Sequence, residues 1–395
     1  MSTLLHCSLP YVLTSVDEIN NLLGQGTFGK VVEAYDRRNK TKCAIKIIRS
    51  VQKYRDASRI ELRVLNTLKY NDRENRNKCI HLRETFDFRN HICIVTDLLG
   101  QSVFDFLKAN QFTPFPSSQI QSFAKQLLTS VAFLHDLQLV HTDLKPENIL
   151  LVNNNYQTFT YSRNIPTSTT LTQRTAKQRR VLLDTDIRLI DFGSATFDNE
   201  YHSTVVSTRH YRAPEIILNL GWSFPCDIWS IGCILVEFFT GDALFQTHDN
   251  LEHLAMMEPV CNGKIEPRIV RQVQQTARGG NANSAAKYFS RGGKLDYPNN
   301  ETAKASKRFV KGMKKLEVRL RAPFAGPIPP LPSHSRTDYC SIFRRSSPLI
   351  QTSTSTFSTS SAKSSFTTPR RGSTRSAHSS ILGSGKGSST MEPRP

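Results

Sequence analysis

The chain has 395 residues, and its 52 Lys and Arg against 33 Asp and Glu give a formal net charge of +19. At about 100 to 200 residues per domain, this length suits two globular units, or two lobes and a tail. No stretch reaches the roughly 18 consecutive apolar residues of a membrane span, and the start lacks signal-peptide features. Eight scattered cysteines without metal-ligand spacing favour a reducing, intracellular compartment.

The positive charge is concentrated in the C-terminal third of the chain. Residues 1–263 hold 28 basic and 27 acidic side chains, residues 264–320 hold 14 against 4, and residues 321–395 hold 10 against 2. The last 50 residues also contain 24 Ser or Thr and few large apolar side chains. Such a composition cannot bury enough apolar area to fold, so we expect residues 321–395 to be a disordered tail.

The first predicted elements form a small β-rich unit. A glycine-rich turn leads into KVVEAYD and, after the turn RRNK, into CAIKIIRS, a pattern typical of paired strands. Residues 54–69 carry apolar side chains at helical spacing, and residues 91–96 form a short apolar run that predicts a strand. Residues 16–21, VDEINN, have little apolar alternation and make a poor first strand.

The elements that follow indicate a larger, mainly helical unit. Residues 120–135 are amphipathic with a helical period, and residues 228–239 are apolar on every face, which predicts a buried helix. Between these helices lie LVHTDLKPENILLV, a strand–loop–strand pattern, and IRLIDFGSA, a strand that runs into a loop. Residues 153–180 are polar and indicate a soft insertion between core elements.

Residues 24–31 read GQGTFGKV, a GxGxxGxV pattern. A lone GxGxxG is a weak signal, and the dinucleotide-binding version requires a helix directly after it. Here a strand follows, with Val31, Val32 and Ala34 in it. A strand–glycine loop–strand instead favours a lid whose backbone N–H groups approach nucleotide phosphates, with Phe28 capping its tip.

Lys46 lies in an apolar strand and shares a strand face with Ala44, beside the glycine loop. Glu61, 15 residues further on, falls in the predicted helix. This spacing suggests a lysine on nucleotide phosphates that is held by a helix glutamate. The alternative is a solvated surface ion pair, worth about 0 to 1 kcal/mol.

The string HTDLKPEN, residues 141–148, is a strong signal for phosphoryl transfer. This reaction needs a carboxylate that positions the acceptor, a cation near the transferred phosphate and metal ligands. Asp143 is the candidate base, Lys145 the cation that faces the γ-phosphate, and Asn148 a Mg²⁺ ligand. Asp191 begins a DFG triplet after an apolar strand and is the carboxylate for the other metal position.

These residues resemble the eukaryotic protein kinases and, within them, the LAMMER group of dual-specificity, CDC-like kinases. The resemblance spans about residues 17 to 317. It rests on LLGQGTFGKVVEAYD, HTDLKPENIL, DFGSATF, VSTRHYRAPEIIL, EHLAMMEPV and KYFSRGGKLDYP. It implies an α+β, two-lobed kinase fold with a β-rich N-lobe (17–98) and a mainly helical C-lobe (99–320). An N-terminal extension (1–16), an insert at about 153–182 and the tail (321–395) complete the expected organisation.

The resemblance also implies roles for individual residues. Thr96 would be the gatekeeper residue, and Asp97 to Leu99 the hinge that meets adenine. Thr208 would brace the catalytic loop, Asp227 would anchor it, and Glu215 would close the activation segment. The expected ATP site consists of Leu23, Gly24, Gln25, Gly26, Thr27, Phe28, Gly29, Lys30, Val31, Ala44, Lys46, Thr96, Asp97 and Leu99.

The implied activity is transfer of the ATP γ-phosphate, with Mg²⁺, to Ser or Thr of proteins, and to Tyr by autophosphorylation. Arg/Ser-rich splicing factors are the expected substrates. The expected state is a monomer in the nucleus, the cytoplasm or both, without a membrane partner. Thr142 stands where most kinases carry Arg, so no cation there can receive an activation-loop phosphate.

Two departures from the pattern support an alternative function. Pro259 replaces the Arg of the LAMMER box and can end its helix. The resemblance also stops near residue 317, before the expected last helices and the arginine that would pair with Glu215. The alternative is therefore a catalytically impaired kinase-fold binding protein. A nucleic-acid-binding protein that uses the basic C-terminal part is a third candidate, but it lacks an interleaved aromatic platform.

Overall fold

The computed structural model describes residues 17–169, 171–172, 174–276, 283–321 and 350–352. The predicted N-terminal extension and nearly all of the predicted tail lie outside these ranges. A small lobe of strands with one helix precedes a larger lobe that is mainly helical. In the described part of the chain, no helix is both long enough and apolar enough to cross a membrane.

The small lobe is built on an antiparallel five-stranded sheet in the order β1-β2-β3-β5-β4. Its helix α1 follows β3 and buries Val64, Leu65 and Leu68 in the main core. The predicted helix and strands are confirmed. The elements of this lobe are β1 (Asp17–Gln25), β2 (Gly29–Asp36), β3 (Thr41–Ile48), α1 (Gln52–Asn71), β4 (Leu82–Phe88) and β5 (His91–Asp97).

The structure corrects the expectation that residues 16–21 make a poor first strand. Asp17–Gln25 forms a nine-residue strand that pairs with β2 along its length, with register shifts at Ile19/Asn21 and Leu22/Gly24. Backbone pairing holds this edge strand, so it does not need strict apolar alternation. Only Ile19 of its early residues packs on the small apolar cluster around Val32 and Ile45.

The large lobe packs around the helix α5 (Pro225–Thr240), which is buried on nearly every face, as the apolar run predicted. Its N-terminal half consists of α2 (Val103–Ala109), α3 (Ser117–Asp136), β6 (Leu139–Val140), β7 (Ile149–Leu151), β8 (Tyr156–Pro166), β9 (Thr175–Leu182), β10 (Ile187–Leu189) and β11 (Thr196–Phe197). It continues with α4 (Pro214–Ile217), α5 (Pro225–Thr240), α6 (Asn250–Cys261), β12 (Gly263–Ile265), α7 (Pro267–Thr276), α8 (Lys304–Lys311), α9 (Leu316–Arg321) and β13 (Ile350–Thr352).

The polar insertion forms a pair of antiparallel strands, with a register shift between Thr160 and Ile165, and is not a soft segment. Strands β8 and β9 pair antiparallel, and β8 exposes most of its side chains. The hairpin is fixed to the lobe by polar contacts: Asn110 accepts from the backbone N–H of Arg180 at 2.9 Å, and Gln119 donates to the carbonyl of Leu182 at 2.8 Å. These contacts come from other helices, so the local sequence did not reveal them.

Two further expectations differ from the structure. Helix α6 continues past Pro259 to Cys261 and buries Met256, Met257 and Val260, so the proline does not end it. Proline lies in the last turn, where it removes one backbone donor and leaves the preceding turns intact. Ile350–Thr352, placed by sequence in the disordered tail, forms a short strand that pairs with β12.

Candidate functional site

The glycine-rich turn joins β1 to β2. The N–H of Gly26 donates to the carbonyl of Gly29 at 2.9 Å, and a Cβ at Gly29 would lie 2.1 Å from the carbonyl oxygen of Ile47. Close approach of β2 to β3 therefore requires glycine at this position. A Cβ at Gly24 or Gly26 would meet no atom of the described residues within 4 Å, so packing within that part of the chain does not require those two glycines. The backbone there is open to a group from outside the chain.

Lys46 connects three separate parts of the chain. Its Nζ lies 2.7 Å and 3.0 Å from the two carboxylate oxygens of Glu61 on α1, and 3.3 Å from Oδ1 of Asp191. Burial by itself would lower the pKa of Lys46, but the two carboxylates outweigh burial and raise it. The lysine is therefore fully charged at neutral pH, and the predicted Lys46–Glu61 pair is present.

Asp143 lies at the centre of a hydrogen-bonded group in the loop after β6. Lys145 Nζ donates to its Oδ2 at 2.6 Å, while the N–H and hydroxyl of Thr208 donate to its Oδ1 at 2.9 Å and 2.7 Å. Burial would raise the pKa of Asp143, but these donors outweigh burial and hold the pKa below its usual value. Asp143 is therefore a carboxylate at neutral pH.

Asn148 and Asp191 lie on adjacent backbone segments. The N–H of Ile190 donates to the carbonyl of Asn148 at 3.0 Å, and the Asn148 side-chain amide donates to the carbonyl of Asp143 at 2.9 Å. This second bond occupies the amide nitrogen, so the amide oxygen is the atom suited to a cation. Asp191 has a left-handed backbone, with φ of 63°, and its carboxylate also contacts Lys46.

Asp227 supports the catalytic loop from the first turn of α5. Its carboxylate accepts from the N–H of His141 at 2.8 Å and of Thr142 at 2.9 Å, and contacts Nε2 of His135 at 3.0 Å. Because the residue is 1% exposed, these contacts are shielded from water. This is the contact expected of the predicted anchor.

The residues predicted to meet adenine lie where the sheet joins the large lobe. Ala44 on β3 is opposite Thr96 on β5, and Val31 on β2 is opposite Lys46. Asp97 binds the guanidinium of Arg83 at 2.6 Å. The other predicted ATP-site residues belong to β1, to the turn after it, to the start of β2 or to the segment after β5, and they are Leu23, Gln25, Thr27, Phe28, Lys30 and Leu99.

Glu215 occupies an unusual position at the start of α4. Its Oε2 is buried and has no hydrogen-bond partner among the described residues. Burial raises the pKa of this carboxyl to about 7. The carboxyl is therefore partly protonated near neutral pH, which lowers the cost of burying it.

A cavity of about 460 Å³ opens beside Asp143, and its lining also includes the predicted residue Thr208. Hydroxyl groups line much of it, including those of Ser194, Thr196, Ser203 and Ser207. The guanidinium of Arg212, also in the lining, donates to the carbonyls of Val206 and Ser207 at 2.9 Å and 2.8 Å. Ser194 and Thr196 belong to DFGSATF, and Ser207 and Arg212 to VSTRHYRAPEIIL, but the path of the segment after β11 decides that the two strings meet.

Comparisons with known proteins agree with this geometry. The family described as protein kinase domain matches residues 18–324. The chain is 55% identical to dual specificity protein kinase lkh1 of Schizosaccharomyces pombe over 296 residues, which cover 75% of this chain and 40% of that protein. It is 49% identical to dual specificity protein kinase CLK2 of Homo sapiens over 289 residues, which cover 72% of this chain and 53% of that protein.

A third relative is serine/threonine-protein kinase AFC1 of Arabidopsis thaliana, 46% identical over 317 residues, with 77% of this chain and 62% of that protein covered. The chain thus matches less than two thirds of the length of each of these relatives. A solved structure, the kinase domain of PF14_0431, superposes with a TM-score of 0.73 at 31% identity and covers 85% of this chain and 91% of its own. The chain belongs to the protein kinase domain family, within its LAMMER group of dual-specificity, CDC-like kinases.

Proposed function

We propose that this chain is an ATP-dependent protein kinase that phosphorylates Ser and Thr of protein substrates, and Tyr by autophosphorylation. The observation that carries the proposal is the environment of Asp143. Three donors occupy its carboxylate, one from Lys145 and two from Thr208. A carboxylate has about four lone-pair positions, so one remains for the hydroxyl of a substrate.

Asp143 acts as the residue that orients the acceptor hydroxyl and takes its proton. Because its pKa is held low, it is ionised before substrate arrives and can accept that hydrogen bond. Lys145, 2.6 Å away, holds the carboxylate in place and supplies a positive charge beside it. A transferred phosphoryl group would be stabilised by the same ammonium.

ATP supplies the phosphoryl group and the phosphates that the small lobe binds. Lys46 presents a charged ammonium that Glu61 fixes in position, which suits contact with phosphate oxygens. No side chain of the described residues blocks the approach of a phosphate to the backbone at Gly24 and Gly26. Thr96, Asp97 and Leu99 are proposed to meet the base, together with Leu23, Val31 and Ala44.

Asn148 and Asp191 are the proposed ligands of Mg²⁺. Both present oxygen atoms, which this cation prefers, and a protein commonly supplies only one or two carboxylates while phosphates and water complete the shell. The amide nitrogen of Asn148 is already occupied by the carbonyl of Asp143, which directs its oxygen toward a ligand. The donor set therefore fits a Mg²⁺ ion that binds together with ATP.

Arg/Ser-rich proteins are the proposed substrates. Burial, and the nearby negative charges of Asp143 and Asp105, raise the pKa of Glu147 despite the opposing charge of Lys145. The side chain of Glu147 is exposed, so its carboxylate is open to a charged group of a substrate. An arginine of a substrate would relieve the mutual repulsion of these carboxylates and gain a charge-assisted hydrogen bond.

The chain is further proposed to act as a monomer in the nucleus, the cytoplasm or both. The basic run Lys177-Gln178-Arg179-Arg180 lies in β9, and its two arginines contact Tyr161 and Tyr156 at 5.0 Å and 4.8 Å. A nuclear import signal would therefore more readily use the basic segment 321–395. A fluorescent reporter fused to residues 321–395 tests whether this segment directs nuclear import. A reporter that stays evenly distributed between nucleus and cytoplasm would contradict that role.

The test of the main proposal is phosphate transfer from ATP to an Arg/Ser-rich peptide. We expect the wild-type chain to transfer phosphate and Asp143→Asn to lose activity by about 100-fold or more, since a positioned base contributes that much. The melting transition of both proteins shows whether each is folded. A folded wild type that transfers no phosphate would support the alternative, an impaired kinase-fold binding protein, which the assembled side chains do not favour.

A further inference from the structure

Arg63, on helix α1, reaches the segment that follows the DFG triplet. Its Nη2 lies 2.7 Å from Oε2 of Glu200, and its guanidinium carbon lies 4.5 Å from the centre of the Phe197 ring. One side chain thus makes an ion pair and a cation–π contact with two residues of the same short turn. Arg63 and Glu200 are 137 residues apart in the chain.

The turn that Arg63 grips is itself attached to the large lobe. Phe197 belongs to β11, and this strand pairs with β6, which immediately precedes the catalytic loop. The carbonyl of Phe197 accepts from the N–H of Glu200 at 3.0 Å. Asp198 is held by the hydroxyl of Ser223 at 2.6 Å. The turn therefore connects α1 to the strand that leads into the catalytic loop.

Arg63 and Glu61 point to different neighbours because they are two positions apart on the helix, a rotation of about 200°. Glu61 contacts Lys46 on the sheet, and Arg63 contacts the turn after β11. A rotation or outward shift of α1 would break both contacts together. Two attachments on different sides fix the helix more firmly than either contact alone.

The charge state of the pair matches this arrangement. The hydrogen bond from Arg63 lowers the pKa of Glu200, and the same bond raises the pKa of Arg63. Both side chains are about half exposed, 48% and 41%, so water screens their attraction. The contact can therefore bias the position of the helix without determining whether the protein folds.

We propose that Arg63 is a positioning residue for phosphoryl transfer. Its ion pair with Glu200 and its cation–π contact with Phe197 hold the Lys46–Glu61 pair in place. The proposal rests on the kinase activity proposed above. A carboxylate, permanently charged at neutral pH, here performs the task that a phosphate on the activation segment performs in kinases switched by phosphorylation. The link between helix and segment is thus built into the sequence and needs no modification.

The experiment compares Arg63→Gln, Glu200→Gln and the double variant with Arg59→Gln. Arg59 is the matched control, since it lies on the same helix and pairs with Asp56 of that helix at 2.9 Å, without reaching the other lobe. Steady-state kinetics give kcat and KM for ATP and peptide. Hydrogen exchange of residues 58–68 and 196–201 gives a readout that does not require activity. Melting temperatures identify any variant that fails to fold, and if Arg63→Gln does not fold, Glu200→Gln tests the ion pair from its other side.

We expect each single variant to lower kcat by roughly three- to tenfold with KM nearly unchanged, as loss of one exposed ion pair and one cation–π contact allows. The double variant should lose no more kcat than either single variant. The charge-exchanged pair, Arg63→Glu with Glu200→Arg, should recover part of the lost kcat. Arg59→Gln should match wild type.

A wild-type kcat in both single variants, or additive losses in the double variant, would overturn the proposal. If the wild type shows no phosphate transfer but Arg63→Gln accelerates hydrogen exchange in residues 196–201, the link stands and the kinase function fails. Phosphate transfer with unchanged exchange and unchanged kcat in Arg63→Gln would remove the link and leave the kinase function intact.

Discussion

The hydroxyl of Thr142 donates to the backbone carbonyl of Ser194 at 2.9 Å, and thereby ties the catalytic loop to the segment after the DFG triplet. The carbonyl of Thr142 in turn accepts from the hydroxyl of Ser207 at 2.5 Å. These neutral contacts lie where the sequence suggested that a phosphate-binding arginine was missing. The activation segment is thus joined to the catalytic loop directly, without a phosphate.

Phosphatase treatment should therefore leave kcat of the purified chain essentially unchanged. Thr142 carries no charge that could receive a phosphorylated residue, and its two hydrogen bonds do not depend on modification. The measurement is phosphate transfer to peptide before and after treatment, with mass spectrometry to verify that phosphate was removed. A large loss of activity that returns on rephosphorylation of the activation segment would contradict this expectation.

Two glycines of the same turn should respond differently to replacement by alanine. Gly29→Ala should lower the melting temperature, because its Cβ would lie 2.1 Å from the carbonyl oxygen of Ile47 and would force β2 away from β3. Gly26→Ala should leave the melting temperature unchanged, since no atom in the described part of the chain lies within 4 Å of its Cβ, but should raise KM for ATP. Equal effects of both variants on ATP binding and on stability would show that the turn does not approach the nucleotide.

Stability should fall as pH rises through neutrality because of Glu215. Its pKa is raised from 4.5 to about 7 by burial, so the folded state favours the protonated form. This contribution is fully present below pH 4.5 and is lost as pH rises through about 7, with a total of about 3 kcal/mol.

Glu215→Gln, which is neutral at every pH, should therefore be more stable than wild type at pH 8 and should flatten the pH dependence. Burial also raises the pKa of Glu237 to about 7, and its carboxylate accepts a hydrogen bond from the Tyr211 hydroxyl at 2.7 Å. Glu237 should therefore preserve part of the pH dependence of stability in the Glu215→Gln variant. Denaturant unfolding at pH 5, 6, 7 and 8 measures the change. An identical pH profile in Glu215→Gln and wild type would show that the carboxyl is not buried in solution.

Selection for arginine in the substrate should depend on Glu147. Glu147→Gln removes one charge from the carboxylates near Asp143 and Asp105, so KM for an Arg/Ser-rich peptide should rise while kcat changes little. A peptide in which Arg is replaced by Ala serves as the control, because its KM should not respond. Equal changes in KM for both peptides would point to a general effect on the catalytic loop.

The sequence alone determined the family, the order of the elements and the candidate catalytic residues. The candidate catalytic residues could be named from local spacing, because Asp143, Lys145 and Asn148 lie in one short loop. The buried helix α5 was equally clear, since a run that is apolar on every face must be surrounded by other elements. The pattern of α1 likewise placed Glu61 on a helix beside the sheet.

Only the tertiary structure decided how distant segments support this loop. The polar insert became a paired hairpin that Asn110 and Gln119 attach to the lobe through backbone groups, and β1 became a strand because β2 pairs with it. Likewise, the ion pair between Arg63 and Glu200 depends on the approach of two segments whose sequences carry no shared motif. Local spacing fixes which groups can react, whereas long-range packing fixes how firmly those groups are held.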